Sequence, residues 1–295
     1  MRIDGKEIAE QIFKNLKERV GKLKNKGILP HLVIILVGED PASKAYVRQK
    51  EIKTEEIGAK VTTHHLPKKI SQRKLLSLVD KLNKDDKIHG LIVQIPLPSH
   101  INDDIVSTSV SPQKDIDSFN PNSQFKMPLA EAVLKILQEV SRETYETKEA
   151  PFVSSGSSVP SVSFVNWLKS KKIVVVGKGK TGGKPTIEML ENLGAKPEVI
   201  DSKTKDPRTL TKNADIIISA VGRPNIITSQ MIKKGVSLIS VGLHKGEDGK
   251  LHGDYEEDDI KNKALFYTPT PKGVGPVNVA MLLENLITGA EKFLH

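Results

Sequence analysis

The apolar positions of this chain fall into two series in which helical and extended spacing alternate. Residues 32–37, Leu-Val-Ile-Ile-Leu-Val, form an unbroken run that predicts a strand buried on both faces. Helical spacing precedes it over 5–24. It returns over 43–57, beyond a Glu39-Asp40-Pro41 turn with Asp40 or Ser43 as the cap. The pattern then predicts a strand over 60–66, a helix over 71–81, a central strand over 89–95 and a long apolar-faced helix over 129–140. A second series begins at Ile173. It predicts strands over 173–176, 198–200, 215–220, 237–241 and 264–267, with a helix over 185–193. The last helix, 278–293, carries an apolar face through Val279, Leu282, Leu286 and Phe293. Alternation without hairpin turns favours parallel pairing through right-handed crossovers. The expected fold class is α/β with two domains and a cleft between them, the second being a Rossmann-type parallel-sheet dinucleotide-binding domain.

Residues 141–165 break the pattern. They are rich in Ser, Thr and Glu, with Ser154-Ser155-Gly156-Ser157-Ser158 near the centre, which marks a linker or insert. The expected division is therefore 1–140, the insert 141–165, and a dinucleotide-binding domain over 166–277, followed by the last helix. At 295 residues the chain has room for two such cores.

Charge and composition narrow the classes. The formal charge is +9, but lysines are interleaved with acids, as in Lys14-Asn15-Leu16-Lys17-Glu18-Arg19. Aromatic residues are scarce, so a nucleic-acid partner is not expected, whereas a polyanionic small molecule suits the balance. With no cysteine the chain has no disulfide or thiolate metal site, and its histidines lack ligand spacing, so no metal is expected. No apolar run approaches a membrane span and the N-terminus lacks a signal-like apolar stretch, which together suggest a cytoplasmic protein.

Two local patterns carry chemistry. Tyr46 and Lys50 lie four apart on one helix face, just past the carboxyl end of the 32–37 strand, where open α/β sheets bind ligands. A lysine placed there can serve in proton transfer. Gly177-x-Gly179-x-x-Gly182 follows a four-residue apolar strand and precedes a helix, the setting in which backbone N–H groups cradle a pyrophosphate. An ATPase phosphate loop is excluded by spacing, because Pro185 stands where a magnesium-binding Ser or Thr belongs. Asp201 ends the second strand of this series, where an acid can bind a ribose 2′-hydroxyl. Lys178, Ser202 and Lys203 could instead hold a 2′-phosphate.

The segment Val37-Gly38 through Ser43, Tyr46-Val47 and Lys50 matches V-G-x-x-x-x-S-x-x-Y-V-x-x-K. In this it resembles the bifunctional methylenetetrahydrofolate dehydrogenase/methenyltetrahydrofolate cyclohydrolase family. Three further blocks support the resemblance. They are Gly90-Leu91-Ile92-Val93-Gln94-Ile95-Pro96-Leu97-Pro98, Lys114-Asp115-Ile116-Asp117, and Pro269-Thr270-Pro271-Lys272-Gly273-Val274-Gly275-Pro276. Ser118 and Lys272 stand where the family has glycine, and Asn278 where it has threonine.

The resemblance implies that the N-terminal domain, 1–140, is catalytic and that the C-terminal helix, 278–295, belongs with it. Lys50 would move protons, Tyr46 would stack on the pterin and orient Lys50, Gln94 would hydrogen-bond Lys50, and Asp117 would accept hydrogen bonds from the pterin. Val93, Ile95, Pro271, Gly273, Val274, Gly275 and Pro276 would border the substrate. Gly177, Lys178, Gly179, Gly182, Asp201, Ser202, Lys203 and Leu243 would hold the dinucleotide, NADP by resemblance, with NAD the alternative. The implied reaction oxidises 5,10-methylenetetrahydrofolate to the methenyl form and hydrolyses that to 10-formyltetrahydrofolate. It belongs to one-carbon metabolism and supplies purine biosynthesis, and it would be carried by a homodimer. The alternatives are an NAD-dependent dehydrogenase without efficient cyclohydrolase activity and a non-catalytic folate- or nucleotide-binding protein.

Overall fold

The computed structural model describes residues 1–144 and 160–293. Along the first series the elements are α1 (Gly5–Asn25), β1 (His31–Val37), α2 (Pro41–Glu56), β2 (Lys60–Leu66), α3 (Gln72–Asn83), β3 (Gly90–Val93) and α4 (Asp103–Ser109). There follow α5 (Pro128–Thr144), α6 (Val162–Lys169), β4 (Ile173–Val176), α7 (Gly183–Asn192), β5 (Glu198–Ile200), α8 (Pro207–Asn213), β6 (Ile216–Ser219) and β7 (Ser237–Ser240). The chain closes with a small antiparallel pair, β8 (His244–Lys245) and β9 (Leu251–His252), then α9 (Glu257–Ile260), β10 (Phe266–Tyr267) and α10 (Val274–Lys292). Of the insert, 145–159 lies outside the described residues.

Two compact units are distinguished. One comprises Gln11–Pro128 and the chain from Val279 onward; the other comprises Met1–Glu10 and Leu129–Asn278. We call them the lysine unit and the glycine-loop unit.

The lysine unit is built on a parallel sheet of order β2-β1-β3. β1 is therefore the central strand, and the expected centre, β3, is an edge. The edge is nonetheless covered, because Leu91 N–H donates to the Lys114 carbonyl at 2.8 Å, so an irregular segment takes the place of a further strand. On one face Val33, Ile35, Val37, Leu91 and Val93 pack with Leu75, Val79 and Leu82 of α3 and Val106 of α4. Gly90 lets α10 close on β3, since a Cβ there would meet Leu286 at 2.9 Å and Ile116 at 2.8 Å. The guanidinium of Arg19 fixes α10 to α1, donating from Nε and Nη2 to the two carboxylate oxygens of Glu291 at 2.9 and 2.7 Å.

His89, immediately before β3, is buried, accepting from the His31 N–H at 3.2 Å, with Phe293 edge-on to its ring. Burial, then the neighbouring His31 and Lys114, push its imidazole down to about 4. Above pH 6.5 the ring is neutral whether the chain is folded or not. Between 6.5 and about 4 only the unfolded chain takes the proton, so His89 should remove up to about 1.4 kcal/mol of stability per pH unit. Because the raised Asp115 carboxyl acts in the opposite sense below pH 6, the His89 contribution is read as a difference: in urea melts at pH 7, 6 and 5, His89→Gln should lose less stability per pH unit than the parent. A His89→Gln variant with an equally steep slope would contradict it.

The glycine-loop unit is a five-stranded parallel sheet of order β10-β7-β6-β4-β5. The chain runs outward from β4 to β5 and returns to β6 on the other side of β4, a doubly wound arrangement with its switch point at β4 and β6. Met1–Ile3 extend the far edge, where Ile3 N–H donates to the Tyr267 carbonyl at 2.9 Å and Tyr267 N–H to that of Met1 at 3.1 Å. One face packs Val174, Val176, Ile217 and Leu238 against Ile227, Ile232, Tyr255 and Ile260.

Candidate functional site

The lysine unit repeats the doubly wound logic on a smaller scale. β1 lies between β2 and β3, so the carboxyl ends of β1 and β3 form its switch point. There Asp40 caps α2, accepting from Ser43 N–H at 2.7 Å, and Pro41 opens the helix. The next turns carry Tyr46, 36% exposed, and Lys50, 8% exposed. Gln94 follows β3, its N–H donating to Ile35 at 2.9 Å. The Lys50 ammonium donates to Gln94 Oε1 at 3.2 Å and lies 3.5 Å from Asp117 Oδ2. Three of the residues expected from sequence thus meet at one nitrogen. Val93 and Ile95, beside Gln94, line a small cavity with Asp115, Asp117 and Phe119. Tyr46 has its phenol pushed up by burial.

Asp117 is held by residues that sequence reasoning left without a role. The Lys114 ammonium donates to the carbonyls of Leu82, Asn83 and Asp85 at 3.3, 2.7 and 2.7 Å, closing the end of α3. Asp115 is buried and accepts from Asn120 N–H at 2.7 Å; burial raises its carboxyl to about 6. Asn285 of α10 donates to the Ile116 and Lys126 carbonyls at 2.9 and 2.8 Å. The Lys-Asp-x-Asp spacing was the available signal, with the first two residues anchoring the loop and the last reaching Lys50.

In the glycine-loop unit, Gly177 takes φ +91°, and a Cβ there would lie 2.8 Å from the Ala220 carbonyl oxygen. Gly179 faces open space and Gly182 caps α7. The glycine that allows α7 to approach the strand end is Gly183, absent from the expected set. Its Cβ would fall 2.0 Å from the Gly177 carbonyl oxygen. The turn therefore fits the close backbone approach that a pyrophosphate requires.

At the end of β5, Lys178 Nζ lies 2.6 Å from Asp201 Oδ2, while Oδ1 accepts from the Lys203 N–H at 2.9 Å. The lysine contact, more than any other, holds the carboxyl down to about 2. Ser202 is exposed beside it. Leu243 lies past β7, its carbonyl oxygen 2.9 Å from where a Cβ on Gly222 would be.

Pro271, Gly273, Val274, Gly275 and Pro276 belong to the glycine-loop unit. Gly273 is obligatory because its Cβ would meet the Pro269 carbonyl oxygen at 2.4 Å. The two departures that replace a family glycine fall at left-handed backbone, Ser118 at φ 59° and Lys272 at φ 82°. Ser118 is supported by its hydroxyl, which donates to the Phe125 carbonyl at 2.7 Å. Lys272→Gly should therefore stabilise the protein by up to about 1 kcal/mol, offset in part by the entropy of the unfolded glycine. A lowered melting temperature would count against the strain.

This arrangement, a lysine–amide–carboxylate centre on one α/β unit and a glycine-turn dinucleotide fold on the other, defines the class of the protein. The sequence profile of the tetrahydrofolate dehydrogenase/cyclohydrolase catalytic domain matches residues 3–117, and that of the family's NAD(P)-binding domain matches 163–294. The chain belongs to this family. It is 39% identical over 291 residues to the bifunctional protein FolD of Nautilia profundicola, covering 99% of this chain and 97% of that protein. It is 37% identical to the crystal structure of the bifunctional enzyme FolD, methylenetetrahydrofolate dehydrogenase/cyclohydrolase, of Campylobacter jejuni, with a TM-score of 0.88 over 99% of each chain. A Trypanosoma brucei methylenetetrahydrofolate dehydrogenase-cyclohydrolase, complexed with NADP and inhibitor, matches at 30% identity and TM-score 0.87, over all of this chain and 98% of that one. Among the described residues no helix is long and apolar enough to cross a membrane.

Proposed function

We propose that this chain is a bifunctional enzyme that oxidises 5,10-methylenetetrahydrofolate to 5,10-methenyltetrahydrofolate with NADP and hydrolyses the product to 10-formyltetrahydrofolate. The observation that carries the reading is the convergence of Gln94 Oε1 and Asp117 Oδ2 on the nearly buried Lys50 ammonium. In hydrolysis, water adds to the methenyl carbon and loses a proton, and the carbon–N5 bond opens as N5 gains one. Lys50 is the group that moves the proton, with Gln94 and Asp117 fixing its nitrogen. Tyr46 supplies an aromatic face for the pterin and Asp117 an acceptor for its amino edge.

Gly177, Gly182 and Gly183 would form the turn over the pyrophosphate, with Gly179 leaving it open. When bound, the dinucleotide supplies the hydride-accepting chemistry. Lys178 compensates the charge of Asp201, which supports a 2′-phosphate beside Ser202 and Lys203. A cytoplasmic homodimer is the assembly the family resemblance favours, and the sedimentation mass tests it.

The functional test is oxidation of 5,10-methylenetetrahydrofolate with NADP and, separately, with NAD, following reduced cofactor and methenyl absorbance. Reduced NADP with little methenyl accumulation is expected. Folded protein that turns over with neither cofactor would overturn the reading.

A further inference from the structure

Asp254 has no role in the lysine centre or the glycine turn, yet it is fully buried and completely satisfied. Its Oδ2 accepts from the Ser219 hydroxyl at 2.6 Å and the Val221 N–H at 3.0 Å. Its Oδ1 accepts from the N–H groups of Gly222 and Arg223 at 2.7 and 3.0 Å. Three successive backbone N–H groups converging on one anion form a nest, the kind of concavity that elsewhere holds phosphate. Here the chain fills it with its own carboxylate.

Residue 254 is tied to two strand ends at once, to one by its carboxylate and to the other by its backbone. Ser219 closes β6, and the Asp254 N–H donates at 2.9 Å to the hydroxyl of Ser240, which closes β7. A Cβ on Gly242 would fall 2.4 Å from Asp254 Oδ2 and 2.3 Å from Gly222 N, so the loops after β6 and β7 close around this group. Ala220, next to Ser219, is the residue whose carbonyl oxygen abuts Gly177 of the glycine turn.

We propose that Asp254 is a positioning residue for dinucleotide binding, its carboxylate holding residues 219–223, with Gly242 packed against it, as a fixed floor beside the Gly177 turn. This rests on the dehydrogenase reading. The Asp254 side chain itself is sealed from any ligand. Asp254→Asn keeps the shape but turns an amide N–H₂ toward N–H donors, which should loosen the 219–223 loop beside the glycine turn.

The test is calorimetric titration of the apoprotein with NADP, together with hydrolysis of 5,10-methenyltetrahydrofolate measured without any dinucleotide. The expected result for Asp254→Asn is NADP binding weakened about tenfold or more, with dinucleotide-free hydrolysis within about twofold of the parent. Ser219→Ala removes a single donor and should give a smaller loss in the same direction; it settles the matter if the first variant does not fold. Unchanged NADP affinity in a folded variant, or equal losses of binding and hydrolysis, would overturn the proposal. A parent protein that binds no NADP would instead overturn the dehydrogenase reading.

Discussion

Lys50→Met should leave an enzyme that oxidises 5,10-methylenetetrahydrofolate and then stalls, with methenyl product accumulating in step with reduced NADP. Methionine keeps the length and most of the volume of the lysine stem but can neither accept nor return a proton. General acid–base groups contribute about 10²- to 10⁴-fold, and the hydrolytic rate should fall by that much. The substitution leaves Gln94 and Asp117 facing an apolar end, so a small loss of stability should accompany it. A progress curve with both absorbances separates the steps. Hydrolysis at the parental rate in the variant would remove Lys50 from the chemistry.

Gly183→Ala should have the largest effect on the other unit. The added Cβ would lie 2.0 Å from the Gly177 carbonyl oxygen and 2.9 Å from Lys178 Cα, both backbone atoms that no side-chain rotation can clear. Either α7 moves away from the end of β4 or the turn deforms. We expect about 3 kcal/mol of destabilisation and a rise in the KM for NADP of at least about tenfold. Gly179→Ala is the control, because nothing lies within 4 Å of its Cβ position. It should leave the melting temperature unchanged, and any effect it has should appear only in cofactor binding. A Gly183→Ala protein with parental stability and KM would show that the turn does not need this close approach.

The contrast between these glycines marks where sequence reading stops. The G-x-G-x-x-G spacing located the turn, but which glycine meets backbone is a matter of distance, and Gly183 lies outside the pattern. Helix starts show a related difficulty. Helices were expected from Ser43, Pro185 and Asn278, but they begin at Pro41, Gly183 and Val274. In each case a proline sits in the first turn, where its missing N–H costs nothing, so a residue that reads as a breaker is part of the helix.

Strands buried on both faces, such as β1 and β4, were legible because they are continuous apolar runs. The place of β3 in its sheet was not. An edge met by the Lys114 carbonyl and the Ile116 side chain is as apolar as a central strand. Within the candidate site, the helical spacing of Tyr46 and Lys50 gains meaning only from the family segment around them, and Gln94 and Asp117 are marked by the other family blocks. Lys114 and Asp254 act through hydrogen bonds to backbone about 30 residues away in sequence, and no periodicity encodes such contacts.

On the proposed function, Lys50, Gln94 and Asp117 form a hydrolytic centre able to work on the methenyl compound itself. The most direct measurement presents 5,10-methenyltetrahydrofolate to the pure protein without any dinucleotide and follows the loss of its absorbance over the uncatalysed rate. The expected result is enzyme-dependent hydrolysis that Lys50→Met lowers by about 10²-fold or more. Decay at the uncatalysed rate with folded parental protein would contradict it.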